Sequence, residues 1–237
     1  MSVENRVVVI TGAAGGLGRV VAARLAAEGA RLALFGTSQE RLEGLAATLP
    51  APAERLLLRA VDLRDGDATV AAAEAVIARW GRAEIVLHLV GGWAGGQPVT
   101  SVAPDTVDGM LQQHLWTTLR VMQAFTPHLL ANGWGRIIAV SSPYAAHPQA
   151  NGAAYAVGKA AQEALFLTLA QEIQDTGVTA NLLLARTIDA NHERERQPTA
   201  KNAAWTTPEE ITAAILYLCS DEGAAVNGAR LPLYGRP

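Results

Sequence analysis

Short apolar runs, rich in valine, isoleucine and leucine, alternate along the chain with longer alanine-rich segments. The short runs are continuously apolar, which is typical of parallel strands whose two faces are both covered. The longer segments repeat their apolar positions at helical spacing. The pattern predicts seven strands, at residues 6–11, 31–35, 55–61, 84–90, 136–142, 178–184 and 230–234.

Helices are predicted between these strands, at residues 17–29, 67–80, 104–130, 153–175 and 208–219. A further helix is predicted after the second strand, ending at residue 49. Strands joined through helices must run parallel, with right-handed crossovers. The expected architecture is an α/β single-domain Rossmann fold over residues 1–237, with a doubly wound seven-stranded parallel sheet and helices on both faces. Only residues 185–207 lack clear periodicity, and so long a polar segment is expected to be a substrate loop or disordered.

Composition narrows the class of protein. The chain has 237 residues with 19 basic and 22 acidic side chains and no basic stripe, so a nucleic-acid partner is not expected. We find no signal peptide and no apolar run of the ~20 residues that a membrane helix needs, which predicts a cytoplasmic protein without a membrane partner. The single cysteine, Cys219, fits a buried small hydrophobe better than a nucleophile.

A glycine-rich turn, TGAAGGLG at residues 11–18, lies where the first predicted strand meets the first helix. Ligands bind at the carboxyl ends of strands in such folds, and a helix N-terminus attracts phosphate. Gly12 permits a tight turn, and Gly16 and Gly18 allow close approach of a pyrophosphate and of the sheet. A plain strand–helix turn would show the same pattern, but the flanking strand and helix favour a nucleotide site.

Two positions bear on the adenosine end of such a site. Asp62 ends the third strand, where an acid can accept the adenine amino group, although it would equally cap the next helix. At the end of the second strand, an acid would bind a ribose diol and an arginine would attract a 2′-phosphate. Thr37 and Ser38 stand there instead, with Arg41 nearby. The missing acid slightly favours NADP(H) over NAD(H).

Tyr155 and Lys159 are four residues apart and therefore share one face of a predicted helix. An ordinary tyrosine, with a pKa of about 10, is a poor acid or base near neutrality. A neighbouring ammonium group lowers that pKa, so the pair predicts a proton donor or acceptor. Ser142 ends the fifth strand, where its hydroxyl can hold a substrate oxygen. Each feature arises by chance, but their joint presence after a nucleotide turn is much rarer.

Together these motifs resemble the short-chain dehydrogenase/reductase family over nearly the whole chain. TGAAGGLG is similar to the family's nucleotide motif, VDL at residues 61–63 to its adenine contact, and Ser142, Tyr155 and Lys159 to its catalytic serine, tyrosine and lysine. The resemblance implies that Tyr155 exchanges a proton with the substrate oxygen during hydride transfer. It also implies that Lys159 binds the nicotinamide ribose and lowers the tyrosine pKa, while Ser142 positions the carbonyl.

The resemblance further implies which residues bind NAD(H) or NADP(H). They belong to the glycine-rich turn, the ends of strands two to four, the catalytic helix and the segment after strand six. They are Thr11, Gly12, Ala14, Gly16, Leu17, Gly18, Thr37, Ser38, Asp62, Leu63, Val90, Gly91, Gly92, Tyr155, Lys159, Thr187 and Ile188.

The chain departs from the family pattern at three places. His-Leu-Val-Gly at residues 88–91 replaces the usual Asn-Asn-Ala-Gly, and Ala185 and Arg186 replace a Pro-Gly pair. His114 stands where the family usually has an asparagine that holds a proton-relaying water. Because an imidazole can donate and accept, His114 is a candidate catalytic residue, with simple packing as the alternative.

The departures themselves are similar to a subgroup that includes dihydropteridine reductases. GGWAGG, LWTT, TIDANHER and AAWTTPEE carry this likeness, since those enzymes also lack the asparagine and have a Gly-Gly-Trp-Ala-Gly-Gly loop. They generally lack the serine that Ser142 supplies, and they tend to have the acid that is missing after the second strand. The likeness is partial, and it implies pteridine reduction as an alternative activity.

Candidate substrate residues are Trp93, Tyr144, His147, Arg186 and His192. Trp93 would either wall the nicotinamide end of the site or plug the loop that carries it. His147 fits a surface histidine better than a second base. NHERER, at residues 191–196, fits a solvated helix face, with a mobile lid as the alternative. The sequence shows no cluster with metal-ligand spacing, so no metal is expected.

Hydride transfer between a nicotinamide and a small carbonyl, alcohol or imine substrate is the leading functional hypothesis, most simply as a dehydrogenase of CH–OH groups. A non-catalytic NAD(P)-binding sensor, suggested by the altered loop and His114, and an isomerase or epimerase remain alternatives. The intact Ser–Tyr–Lys set argues against a sensor. The family commonly assembles through the helices predicted around 105–130 and 153–175, so a homodimer or homotetramer is expected, unless those apolar faces only cover the sheet.

Overall fold

A computed structural model describes residues 3–235 of the chain. Seven parallel strands form one sheet in the order β3-β2-β1-β4-β5-β6-β7, which confirms the predicted Rossmann-type α/β fold. Residues 1, 2, 236 and 237 of the predicted domain lie outside the described part. The strands are β1 Val7–Thr11, β2 Arg31–Gly36, β3 Leu56–Ala60, β4 Ile85–His88, β5 Gly135–Ser141, β6 Val178–Ala185 and β7 Arg230–Leu233.

Helices follow the strands and cover both faces of the sheet. Between α4 and α5 lies a π-helical segment, Gln112–Trp116. The helices are α1 Gly16–Ala27, α2 Gln39–Ala46, α3 Gly66–Trp80, α4 Pro104–Leu111, α5 Thr117–Ala131, α6 Ala153–Glu172, α7 Glu193–Arg196 and α8 Pro208–Cys219.

The continuously apolar strands are explained by two buried clusters, one on each face of the sheet. In β1, Val8 and Ile10 pack with residues of α1 and α8, whereas Val7 and Val9 pack with residues of α3, α5 and α6. All four side chains are fully buried. Because both faces are covered, the strand shows no polar alternation. Cys219 is buried in the first of these clusters, as its sequence context predicts.

The long helical segment predicted over residues 104–130 is present, but it contains a π-helical turn that the sequence pattern does not indicate. The backbone N–H of Thr117 donates to the carbonyl of Gln112, five residues earlier, so an extra residue is accommodated between α4 and α5. Single π-helical turns of this kind are frequent at functional sites. His114 lies within this turn, which places it against the candidate site.

The segment at residues 185–207 is more ordered than its sequence pattern indicates. It contains the short helix α7, and Arg194 makes a paired ion contact with Glu210 of α8, at 2.8 and 3.2 Å. Asp189 accepts hydrogen bonds from the backbone N–H groups of Glu193 and Arg194 at 2.8 and 2.9 Å. Within residues 3–235, no helix is long and apolar enough to cross a bilayer.

Candidate active site

Two adjoining cavities form a cleft along the carboxyl edge of the sheet. Their volumes are about 660 and 520 Å³, and both are lined by residues 89–91, which follow β4. In doubly wound sheets, ligands bind outside the carboxyl ends of the strands where the strand order reverses. Here the order reverses between β1 and β4. The cleft therefore has the place and the size expected for an extended dinucleotide beside a substrate.

The glycine-rich turn shapes the floor of the larger cavity. Gly12 has φ +68°, and a Cβ there would lie 3.0 Å from the carbonyl oxygen of Leu89, so only glycine fits. Helix α1 begins after Gly15 with no side-chain cap. Its first N–H groups are therefore free to meet a phosphate, which is what a dinucleotide site requires.

Most of the predicted cofactor residues line the cleft, and three do not. Thr11 is fully buried, and added Cβ atoms at Gly16 and Gly18 would meet Ala190 or the backbone of the turn, so these residues support its shape. Gly12, Ala14, Thr37, Ser38, Asp62, Leu63, Val90 and Gly91 line the larger cavity, whereas Leu17, Val90, Gly91, Gly92, Tyr155, Lys159, Thr187 and Ile188 line the smaller one.

Two arginines line the end of the larger cavity that lies beyond β2 and β3. Arg41 lines it and donates to the carbonyl of Ala14 at 3.0 Å. Arg64 also lines it, and its guanidinium binds both carboxylate oxygens of Asp62 at 2.7 to 3.1 Å. This pairing lowers the pKa of Asp62 and offsets the only carboxylate among the lining residues. The local charge thus favours an anionic group.

The three predicted catalytic residues meet in the smaller cavity or beside it. Tyr155 and Lys159 line this cavity, and the Lys159 Nζ lies 6.0 Å from the centre of the Tyr155 ring. Ser142 is buried next to them and shares a side-chain hydrogen bond with Tyr155. One face of α6 and the end of β5 therefore bring the serine, tyrosine and lysine together, as their spacing predicts.

Burial sets the ionisation of this pair, and the outcome differs from the sequence expectation for Tyr155. Burial raises the pKa of Tyr155 above its usual value, while the hydrogen bond with Ser142 opposes this shift. The net shift is upward, so the lowering expected from the sequence is not found. Burial instead lowers the pKa of Lys159 to about 7, partly offset by the carboxylate of Glu163. Desolvation outweighs the charge effect that the sequence suggested.

Lys159 is held by acceptors on two elements. Its Nζ donates to the carbonyl of Val140 at 2.8 Å and to Oε1 of Gln162 at 3.0 Å. An ammonium group has three N–H donors, so one is left to act in the cleft. Gln162 is a functional candidate that sequence reasoning missed, because only the fold shows that it contacts Lys159.

Comparison with known proteins decides the family. The family model described as short chain dehydrogenase matches residues 6–201. The chain belongs to this family. It is 30% identical to the 1,6-dihydroxycyclohexa-2,4-diene-1-carboxylate dehydrogenase of Pseudomonas putida, over 98% of this chain and 92% of that protein. The short chain dehydrogenases are nicotinamide-dependent oxidoreductases, and the glycine turn and cleft described above fit such a cofactor.

Solved structures of other short chain dehydrogenases have the same architecture. A short chain dehydrogenase from Bacillus anthracis superposes with a TM-score of 0.87 at 27% identity, covering 99% of this chain and 97% of that one. A 3-ketoacyl-(acyl-carrier-protein) reductase from Brucella melitensis, complexed with NADH, gives a TM-score of 0.88 at 22% identity, covering 98% of both chains. At that identity, the second likeness concerns the fold alone.

His88, the first residue of this short chain dehydrogenase's altered loop, ties three elements together. Its Nδ1 lies 2.9 Å from the hydroxyl of Thr11 on β1, and its Nε2 lies 3.3 Å from the hydroxyl of Thr117 on α5. The Thr117 hydroxyl donates to the carbonyl of Gln113 at 2.6 Å, so it accepts from His88 Nε2–H. Burial, with a smaller effect of Lys159, lowers the pKa of His88 to about 3. His88 is therefore neutral at physiological pH, and its hydrogen bonds connect β4 with β1 and α5.

His114 is fully buried, and its ring lies against that of Tyr155. Its ring meets that of Tyr155 edge to face at 5.6 Å, and its Nε2 lies 3.1 Å from the carbonyl of Gly92, to which it must donate. Within the described residues, its Nδ1 has no hydrogen-bond partner. Burial and the charge of Lys159 lower the pKa of His114 to about 3. The ring is therefore neutral at physiological pH, and its donor is used on Gly92, so the predicted relay role of His114 stays a prediction.

Two of the predicted substrate residues form an aromatic wall in the smaller cavity. Trp93 and Tyr144 both line it. Trp93 is 62% exposed, which a hydrophobic plug would not be, so that alternative is wrong. The Tyr144 ring meets Tyr155 edge to face at 5.7 Å, and its hydroxyl donates to Gln149 at 3.1 Å.

Of the other three predicted substrate residues, one lines the smaller cavity and two do not. Arg186 lines the smaller cavity, and its guanidinium lies 5.0 Å from the ring centre of Tyr234. His147 is exposed and lines neither cavity. His192 also lies away from both cavities and pairs with Glu209 at 2.9 Å. Within residues 3–235, no group of three metal-binding side chains is assembled.

Proposed function

We propose that this short chain dehydrogenase transfers hydride between a nicotinamide cofactor and a small carbonyl or alcohol substrate, with Tyr155 as the general acid or base. The proposal rests on one observation, which is that Tyr155, Lys159 and Ser142 meet where the cofactor cleft opens into the smaller cavity. A non-catalytic sensor would have no need of this cluster. The finer assignment to CH–OH substrates follows from the tyrosine, because an alcohol oxygen needs a proton donor or acceptor.

In the reducing direction, the Tyr155 hydroxyl gives its proton to the substrate oxygen. Its raised pKa keeps it protonated at neutral pH, which suits a proton donor. The Ser142 hydroxyl holds the same oxygen, and the charge of Lys159, whose Nζ lies 6.0 Å from the centre of the Tyr155 ring, stabilises the phenolate that forms. A nicotinamide, when bound, supplies the hydride that reduces the carbonyl carbon.

The test is turnover of the wild type and of Tyr155→Phe with a panel of ketones, imines and quinonoid dihydropterin, followed by the loss of reduced nicotinamide absorbance. Removing a general acid lowers kcat by about 10²–10⁴-fold. Tyr217→Phe, on the exposed face of α8, is the matched control and keeps full activity. Cofactor binding without turnover by the wild type would support the sensor, and turnover without net cofactor change would support an isomerase. Preferential turnover of the pterin would support the dihydropteridine reductase alternative.

We further propose that the preferred cofactor is NADP(H). Thr37 and Ser38 follow β2 where an acid would exclude a 2′-phosphate, and Arg41 and Arg64 line the same part of the cavity. Asp62 is already paired with Arg64, so its charge is offset. A phosphate would therefore meet the guanidinium of Arg41 and two hydroxyls, beside an Arg64–Asp62 pair with no net charge.

We also propose that the protein assembles as a homodimer or homotetramer. Trp116, at the end of the π-helical segment, and Val157 on α6 are large apolar residues that are 40% and 46% exposed. They lie on the helices from which an assembly is expected. Sedimentation velocity of the wild type and of Val157→Lys tests this, since a lysine in a buried interface would shift the protein toward smaller species. A cytoplasmic location likewise stays a prediction.

A further inference from the structure

The smaller cavity contains cationic side chains and no carboxylate. Its lining residues include Lys159 and Arg186 but neither aspartate nor glutamate. Arg186 is exposed, and within residues 3–235 it takes part in no ion pair of 4 Å or less. An arginine in a cleft without a carboxylate partner can bind an anion, because its planar guanidinium can donate two parallel hydrogen bonds to a carboxylate.

The fold fixes where this guanidinium lies. Arg186 follows β6 directly, and Tyr234 follows β7 directly, with Ala185 and Leu233 paired in the sheet register. The guanidinium therefore stands 5.0 Å from the centre of the Tyr234 ring, within cation–π range. This contact orients the side chain without using its N–H donors. Those donors stay available at the edge of the cavity that also contains Tyr155.

Another part of the lining suits a flat molecule. Trp93 is largely exposed and lines the cavity together with Tyr144, whose ring is held edge to face against Tyr155. Exposed aromatic faces in a cleft bind planar rings by stacking and by burial of apolar area. A cavity of about 520 Å³ has room for a substrate with a single ring beside the nicotinamide end of a cofactor.

We propose that Arg186 binds a carboxylate on a planar or near-planar cyclic substrate, which lies against Trp93 with its reacting oxygen at Tyr155. This inference rests on the proposed function and names the substrate class for the same site. The carboxylate selects the substrate, while the aromatic wall contributes affinity that does not depend on charge.

The first test needs no turnover. Binding of benzoate and of neutral benzamide is measured by calorimetry on the protein saturated with NADP⁺. Benzoate is expected to bind more tightly, and Arg186→Met should weaken benzoate about tenfold or more while leaving benzamide unchanged. Arg59→Met, an exposed arginine on β3, is the matched control and should change neither affinity. Trp93→Leu should weaken both ligands alike.

The second test compares turnover of an oxocyclohexenecarboxylate with that of its carboxamide. Arg186→Met should raise KM for the carboxylate about tenfold and leave kcat nearly unchanged, because the arginine does not touch the reacting atoms. Equal affinities for benzoate and benzamide in the wild type would overturn the inference, as would equal losses in Arg186→Met. A loss of NADP⁺ affinity in Arg186→Met would assign the arginine to the cofactor instead. Tyr155-dependent reduction of neutral ketones alone would refute the inference and leave the proposed function intact.

Discussion

Lys159 and Gln162 are joined by a hydrogen bond of 3.0 Å inside α6, from Nζ to Oε1. Gln162 also donates from Nε2 to the hydroxyl of Thr118 at 3.1 Å, and that hydroxyl donates to the carbonyl of His114 at 2.6 Å. Lys159 is therefore linked through buried groups to the π-helical turn. Because the lysine is fully desolvated, the polarity of Gln162 has a direct effect on its charge.

Changing Gln162 should move the ionisation of Lys159 in opposite directions. Gln162→Glu replaces the amide oxygen with a carboxylate and should raise the lysine pKa from about 7, whereas Gln162→Met removes the acceptor and should lower it. The expected result is a shift of the corresponding limb of the profile of kcat/KM against pH, by about one unit in each direction.

Gln171 provides the control for this experiment, because it lies on the same helix and is exposed. Gln171→Glu and Gln171→Met should leave the pH profile where it is in the wild type. If both Gln162 variants also leave the limb unmoved, while Lys159→Met abolishes activity, then Gln162 does not position the lysine.

Cofactor preference should reverse when an acid is placed after β2. Thr37→Asp is expected to lower kcat/KM for NADPH at least about tenfold, because a carboxylate repels the 2′-phosphate, while NADH is affected little. Steady-state rates with both cofactors give the ratio. Thr48→Asp adds the same charge on the surface beyond α2 and should not change it. A wild type that already prefers NADH would contradict the proposed preference.

Stability in acid should depend on His88. Its pKa is about 3 in the folded protein and about 6.5 when unfolded, so between these values the unfolded chain binds more protons. The free energy of unfolding therefore falls as the pH drops below about 6.5, at up to about 1.4 kcal/mol per pH unit for each such histidine. His88→Asn should lose less stability than the wild type between pH 7 and pH 5, measured by urea unfolding.

His114 contributes a similar loss in both proteins, so the difference between wild type and His88→Asn isolates one histidine. His147→Asn, which changes an exposed histidine, should follow the wild-type curve. Parallel curves for His88→Asn and the wild type would show that His88 is not held neutral.

Adding one methyl group at Gly158 should be costly. A Cβ there would lie 2.9 Å from the carbonyl oxygen of Met110 and 3.1 Å from His114, where α6 crosses the start of the π-helical segment. Gly158→Ala is expected to lower the free energy of unfolding by about 1–3 kcal/mol and to reduce activity, because His114 must move. Gly44→Ala on α2, where nothing lies within 4 Å, should instead raise stability by up to about 1 kcal/mol. Unfolding curves of both variants decide the point.

Sequence patterns were sufficient for the strands, for the sheet and for the meeting of Ser142, Tyr155 and Lys159, because local periodicity and the direction of parallel strands determine these features. They did not reveal Arg64 as the partner of Asp62, Tyr234 beside Arg186, or the hydrogen bonds of His88. These contacts depend on which loops meet in three dimensions. The expectation that the pKa of Tyr155 is lowered was wrong for a related reason. Burial raises this pKa, and burial cannot be judged from spacing alone.

The π-helical turn has a consequence for comparing this chain with its relatives. Residues Gln112–Trp116 hold one residue more than the same length of α-helix. Removing that residue would let α4 and α5 join as one regular α-helix, because the π-helical turn accommodates a single extra residue. An alignment with a relative whose helix is continuous therefore needs a one-residue gap between Leu111 and Thr117. Without the gap, the residue written opposite His114 in such an alignment would occupy a different place in space.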